Sequence, residues 1–222
     1  MKTDLQIQKD VIDEFKWNPS VNSSEIGVAV KDGVVTLSGQ VDSYLKKVTA
    51  ENLAKKVAGV KALAEDIQVG VSPSYKKTDA EIAAAVLNAL KWNSFVQQER
   101  IKIEVEDGVV RLDGDVDWNF QRVAIKNAIE NLQGVKTVLN YVTIKPQAVP
   151  SDIENRIARA FMRSATIDSR AVHAQVIGNK VILTGTVHSL AEKYDAASAA
   201  WAAPGIVSVE NNLEIEIPKM AL

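Results

Sequence analysis

Six glycines in two motifs recur at one pair of spacings, and this repetition constrains the fold more than any other feature of the chain. Gly39, Gly114 and Gly185 lie in LSGQV, LDGDV and LTGTV, 75 and then 71 residues apart. Gly59, Gly134 and Gly205 lie in AGVK, QGVK and PGIV at the same two offsets. Two independent motifs keeping one spacing define a tandem repeat, and each copy is then one supersecondary unit.

The segments between the glycines repeat in character. IGVAV, IKIEV and VHAQV alternate apolar and polar residues, as do VVTLSG, VVRLDG and VILTG, which is the period of a half-buried strand. Asp32-Gly33, Asp107-Gly108 and Gly178-Asn179 join each pair, and such dipeptides tolerate positive φ at both turn positions, so three two-residue hairpins are predicted. Ahead of them run apolar residues at helical spacing: Ile7, Val11 and Phe15; Ile82, Val86 and Leu90; Ile153, Ile157 and Phe161. Thr3 with Gln6, Thr78 with Glu81 and Ser151 with Glu154 have capping-box spacing; the third box lies two residues closer to its core positions and predicts a helix about half a turn shorter.

A second helix is predicted over Asp42–Ala58, Asp117–Gln133 and His188–Ala203, each ended by Gly59, Gly134 or Gly205. VKALAEDIQV, VKTVLNYVTI and VSVENNLEIE then read as closing strands. The fold class is therefore α+β, with three tandem αββαβ units at residues 1–72, 77–145 and 150–217. Each is a small mixed three-stranded sheet with two helices on one face. Linkers are expected at Val71–Lys77 and Lys145–Pro150, and the units, each about 70 residues and thinly cored, are expected to pack on one another.

These residues resemble the BON domain (bacterial OsmY and nodulation). The hairpin Gly-Val-Val-x-Leu-x-Gly-x-Val and the closing strand Gly-Val-x-x-Val-x-Asn-x-Leu stand here as Gly33–Val41 with Gly59–Val69, Gly108–Val116 with Gly134–Ile144, and Val181–Val187 with Gly205–Ile215. Asn140 and Asn211 match the closing-strand asparagine and Glu65 departs from it; Asn179 and Lys180 depart in the third hairpin. The resemblance implies an αββαβ fold, a bacterial protein, and roles at phospholipid surfaces, in osmotic or envelope stress, or as accessory modules of envelope assemblies.

Chemistry-bearing residues are few. Without cysteine there are no disulfides or thiolate sites, and His173 and His188 have no recurring nucleophile or carboxylate pair beside them. No catalytic residue, cofactor or metal is expected. Glu104, Glu106, Asp107, Asp113, Asp115 and Asp117 cluster in the second copy alone and read as a solvated face. The formal charge of −2 is spread evenly, so no basic stripe attracts nucleic acid. No long apolar run occurs, and the charged start reads as part of the first helix, which predicts a cytoplasmic protein unless a signal lies upstream.

The expected partner is a phospholipid surface or another protein. Candidate contacts are Lys46, Lys47, Lys55 and Lys56 on the first copy's second helix, together with Trp118 and Trp201, whose aligned residues (Ser43 and Ser189; Lys55 and Glu130) mark those sites as solvent-facing. Trp17 and Trp92 end the first helices where the third copy has Arg163, and are expected to bury between repeats.

Overall fold

The computed structural model describes residues 2–70 and 77–216; most of the first expected linker lies outside them. In the first copy, α1 (Asp4–Trp17) is followed by β1 (Ile26–Lys31), β2 (Val34–Val41), α2 (Tyr44–Lys56) and β3 (Ala62–Val69). The second has α3 (Asp79–Trp92), a 3-10 turn (Gln98–Arg100), β4 (Ile101–Glu106), β5 (Val109–Val116), α4 (Asn119–Glu130), β6 (Thr137–Asn140) and β7 (Thr143–Ile144). The third has α5 (Ile153–Arg163), β8 (Val172–Ile177), β9 (Lys180–Val187), α6 (Leu190–Trp201), β10 (Ser208–Asn211) and β11 (Glu214–Ile215).

Each copy has its own sheet, with the second hairpin strand in the middle. β4 and β8 run antiparallel to β5 and β9, whereas the closing strands run parallel to them across the helical crossover. One face of each sheet is buried. In the third copy Ile153, Ile157 and Phe161 of α5, Ala196 and Ala200 of α6, and Val172, Val181, Leu183 and Val187 of the sheet form one apolar cluster, so both helices cover the same face. The helical triplets Ile7, Val11, Phe15 and Ile82, Val86, Leu90 are likewise buried.

The first two hairpins turn with positive φ at both positions, Asp32 and Gly33, then Asp107 and Gly108. A carboxylate from the start of the preceding helix pins each turn: Asp4 accepts from the Asp32 and Gly33 N–H groups at 2.8 and 3.0 Å, and Asp79 from Asp107 and Gly108 at 2.9 and 2.9 Å. The third copy differs because Pro150 stands where those aspartates are. There only Gly178 takes positive φ, and Asn179 Nδ2 ties the turn to the carbonyls of Gln147 and Gly205 at 2.7 and 2.6 Å. The capping boxes at Thr3 and Thr78 form, but the one expected at Ser151 does not. Glu154 instead accepts from the Val176 N–H at 2.6 Å, and α5 has 11 residues where α1 and α3 have 14.

Gly114, two residues before the end of β5, has φ +145°, and a Cβ there would stand 2.2 Å from the Arg100 carbonyl oxygen. The strand passes too close to the chain entering β4 for any side chain.

The closing strands depart from expectation in one informative way: β3 is continuous over eight residues, whereas the other two copies split theirs. At the break Asn140 Oδ1 accepts from Val142 N–H at 3.1 Å and its Nδ2 donates to the Arg122 carbonyl of α4 at 3.2 Å. Asn211 repeats this with Leu213 N–H at 3.3 Å and the Lys193 carbonyl at 2.9 Å. A short amide side chain that bonds the backbone two residues on competes with the ladder and bends the strand. The aligned residue of the first copy is Glu65, and its strand runs on unbroken.

Candidate functional site

The tryptophans are arranged the other way round from the expectation. Trp17 and Trp92 are 86% and 88% exposed, so neither is buried as expected. The physical reason is helical phase: each is two residues beyond the last core residue, Phe15 or Leu90, and so points off the buried stripe. Trp201, expected to face outward, packs against the core of the third copy, and the aligned Glu130 is itself buried with the Lys126 ammonium 2.8 Å from its Oε1. That helix position is partly covered in every copy, which its polar occupants concealed in the sequence.

Trp118 is 37% exposed and is the residue from which α4 starts; the second helices begin one residue later than an Asp117 or His188 cap would require. Gln121 Oε1 accepts from the N–H groups of Asp117 and Trp118 at 3.0 and 2.9 Å and so stands in for a capping side chain. Around this point the second copy gathers further exposed aromatic side chains. Phe95, in the loop after α3, and Phe120, in the first turn of α4, are 60% and 53% exposed and meet edge to face, ring centroids 5.6 Å apart. The aligned residues are Ser20 and Leu45 in the first copy, Thr166 and Ala191 in the third. Phe95 and Phe120 escaped the sequence reading, although comparing the aligned positions of all three copies would have exposed both.

The lysines of α2 are mostly engaged within their own copy. Lys46 lies 2.7 Å from Asp42, whose carboxyl is held below its ordinary range by that hydrogen bond. Lys47 Nζ donates to the Ile67 carbonyl at 3.0 Å, as the aligned Lys193 does to Leu213 at 2.6 Å, so this lysine fastens the closing strand to the helix. Lys55 is 3.5 Å from Glu51, and Lys56 is exposed. Part of the acidic cluster of the second copy is likewise paired. Asp113 lies 2.7 Å from Arg111, and Asp115 and Asp117 hold Arg100. The Arg100 hydrogen bond holds the Asp115 carboxyl below its ordinary range. His188 lies 3.3 Å from the buried Glu192 carboxylate at the start of α6, and His173 is on β8 opposite Thr184. Among the described residues no three histidine or carboxylate side chains gather as a metal site would require, and no helix is long and apolar enough to cross a membrane.

Comparison with known proteins agrees with this architecture. The BON domain matches residues 3–71, 78–146 and 151–217. Osmotically-inducible protein Y of Escherichia coli (strain K12) is 32% identical over 134 residues, 57% of this chain and 65% of that protein, just under two thirds of its length. An uncharacterized protein in the gshII 5' region of Anaplasma centrale is 29% identical over 125 residues, 55% of this chain and 83% of its own. Among solved structures, CdsD, a structural protein of the type III secretion system of Chlamydia trachomatis, aligns over 95% of this chain and 92% of its own at 15% identity. Its TM-score is 0.28, too low to carry an argument.

Proposed function

Because the chain belongs to the BON domain family, which is not a family of enzymes, we propose that it is a non-enzymatic interaction protein of the bacterial stress response that associates with phospholipid surfaces. The stress assignment rests on its likeness to an osmotically inducible protein. The lipid assignment rests on one observation, the exposed Phe95–Phe120 ring pair of the second copy at the start of α4. Exposed aromatic side chains grouped on one part of a small domain mark an interaction site, and rings of this kind favour the boundary between water and acyl chains.

Anchoring by aromatic residues also sets the salt dependence. Of the four candidate lysines of α2, Lys46, Lys47 and Lys55 already have partners in their own copy and only Lys56 is exposed, so this helix adds little head-group attraction for salt to screen. Flotation with equimolar phosphatidylcholine–phosphatidylglycerol vesicles at low and high salt tests the reading. Binding that persists at high salt and is lost in Phe120→Ala supports it. No binding to vesicles of any composition would turn the assignment to a scaffold that binds protein.

A further inference from the structure

The aromatic surface of the second copy is built from two separate pieces of chain, the loop 93–100 and the start of α4, and two polar side chains join them. Gln121 is the first. While its Oε1 caps α4, its Nε2 donates to the Phe95 carbonyl at 2.8 Å, which places the Phe95 ring against Phe120. Arg100, at the far end of the loop, is the second. Its guanidinium donates to Asp115 at 2.9 Å and to Asp117 at 3.0 Å, and reaches back to Gln97 Oε1 at 3.2 Å. A planar fork bound by two carboxylates fixes direction as well as distance.

Both side chains are peculiar to the copy that carries the aromatic residues. Arg100 aligns with Glu25 and Ala171, Asp115 with Gln40 and Thr186, and Gln121 with Lys46 and Glu192. In the third copy Ser189 caps the helix, while Glu192 accepts from His188 N–H at 2.8 Å and holds its loop through Asp168 N–H at 2.9 Å, but that loop presents Thr166 where the second copy has Phe95. We propose that Gln121 and Arg100 are positioning residues that make the second copy the lipid-binding copy, by holding Phe95 beside Phe120 before any surface is met. This rests on the lipid reading above. Its physical content is preorganisation: a loop already in its bound arrangement loses less conformational freedom on binding.

Gln121→Glu separates the roles of this side chain. The carboxylate can still accept from the Asp117 and Trp118 N–H groups, as Glu192 accepts from His188 N–H, but has no proton to donate to the Phe95 carbonyl. The full chain carrying Gln121→Glu is expected to melt close to wild type, to lose the NMR cross-peaks between the Phe95 and Phe120 rings, and to bind the same vesicles about tenfold more weakly. Arg100→Lys, which keeps the charge and loses the fork, is expected to move the same two readouts in the same direction. Phe95→Ala with Phe120→Ala tests the lipid reading separately. If that double variant binds like wild type, the lipid reading fails, and the binding half of this proposal with it. If it loses binding while Gln121→Glu and Arg100→Lys keep both the ring contact and full affinity, the positioning role alone is overturned.

Discussion

Replacing Asn140 by alanine removes two hydrogen bonds, one from Val142 N–H at 3.1 Å and one to the Arg122 carbonyl at 3.2 Å. The two losses are unequal. The Arg122 carbonyl belongs to α4 and keeps its helical environment, whereas Val142 is buried and its N–H would lose its acceptor between β6 and β7. An orphaned buried N–H costs about 1–3 kcal/mol, and the second bond adds about 0.5–1.5 kcal/mol, so a total near 2–3 kcal/mol is expected. For a unit of this size such a loss lowers the transition of the affected copy by about 10 °C or more. Hydrogen exchange read at individual amides localises the effect, because three copies need not unfold as one. The Val142 amide and the β6 and β7 amides are expected to lose protection, with the third copy unchanged. Asn211→Ala is expected to reproduce this at Leu213. If Asn140→Ala melts within about 2 °C of wild type and leaves Val142 protected, the asparagine does not hold the bend and the reasoning is wrong.

Gly114→Val drives a Cβ into the Arg100 carbonyl at a positive φ and is expected to cost about 3 kcal/mol or more in urea unfolding. Gly178→Ala meets no atom within 4 Å, and only the φ strain of about 1–2 kcal/mol should appear. Trp17→Ala and Trp92→Ala are expected to change stability by no more than about 0.5 kcal/mol, while Trp201→Ala costs about 1–3 kcal/mol through its packing on the third core. Acrylamide quenching of single-tryptophan variants checks the arrangement independently, and protection of Trp17 or Trp92 would contradict it. The Asp115 carboxyl is held low in the folded protein, first by the Arg100 hydrogen bond. A depressed carboxyl contributes stability that is full above the ordinary aspartate range, near about pH 4, and is lost as pH falls through the folded value. The melting-temperature gap between wild type and Asp115→Asn is therefore expected to be widest at neutral pH and to close in acid; a gap that grows on acidification would refute the assignment.

Local chemistry carried the architecture into the sequence. Helical phase at Ile7, Val11 and Phe15, alternation in the hairpin strands and positive-φ turn dipeptides depend on neighbours a few residues away, so each copy could be read three times over. The helix cap at Thr78 was equally visible, since a hydroxyl three residues before Glu81 needs only the backbone between them. Long-range pairing is where sequence reasoning stopped. Glu154 has the same spacing from Ser151 as Glu81 has from Thr78, but the Val176 N–H, 22 residues away, competes for its carboxylate. Lys47, a candidate partner contact by its sequence, is engaged by the Ile67 carbonyl 20 residues away. For the tryptophans, the size of an apolar side chain argued for burial, while the direction in which the helix carries it decided exposure. The aromatic surface of the second copy depends most on tertiary structure: Phe95 and Phe120 are 25 residues apart, and only the fold, through Gln121 and Arg100, brings their rings to 5.6 Å.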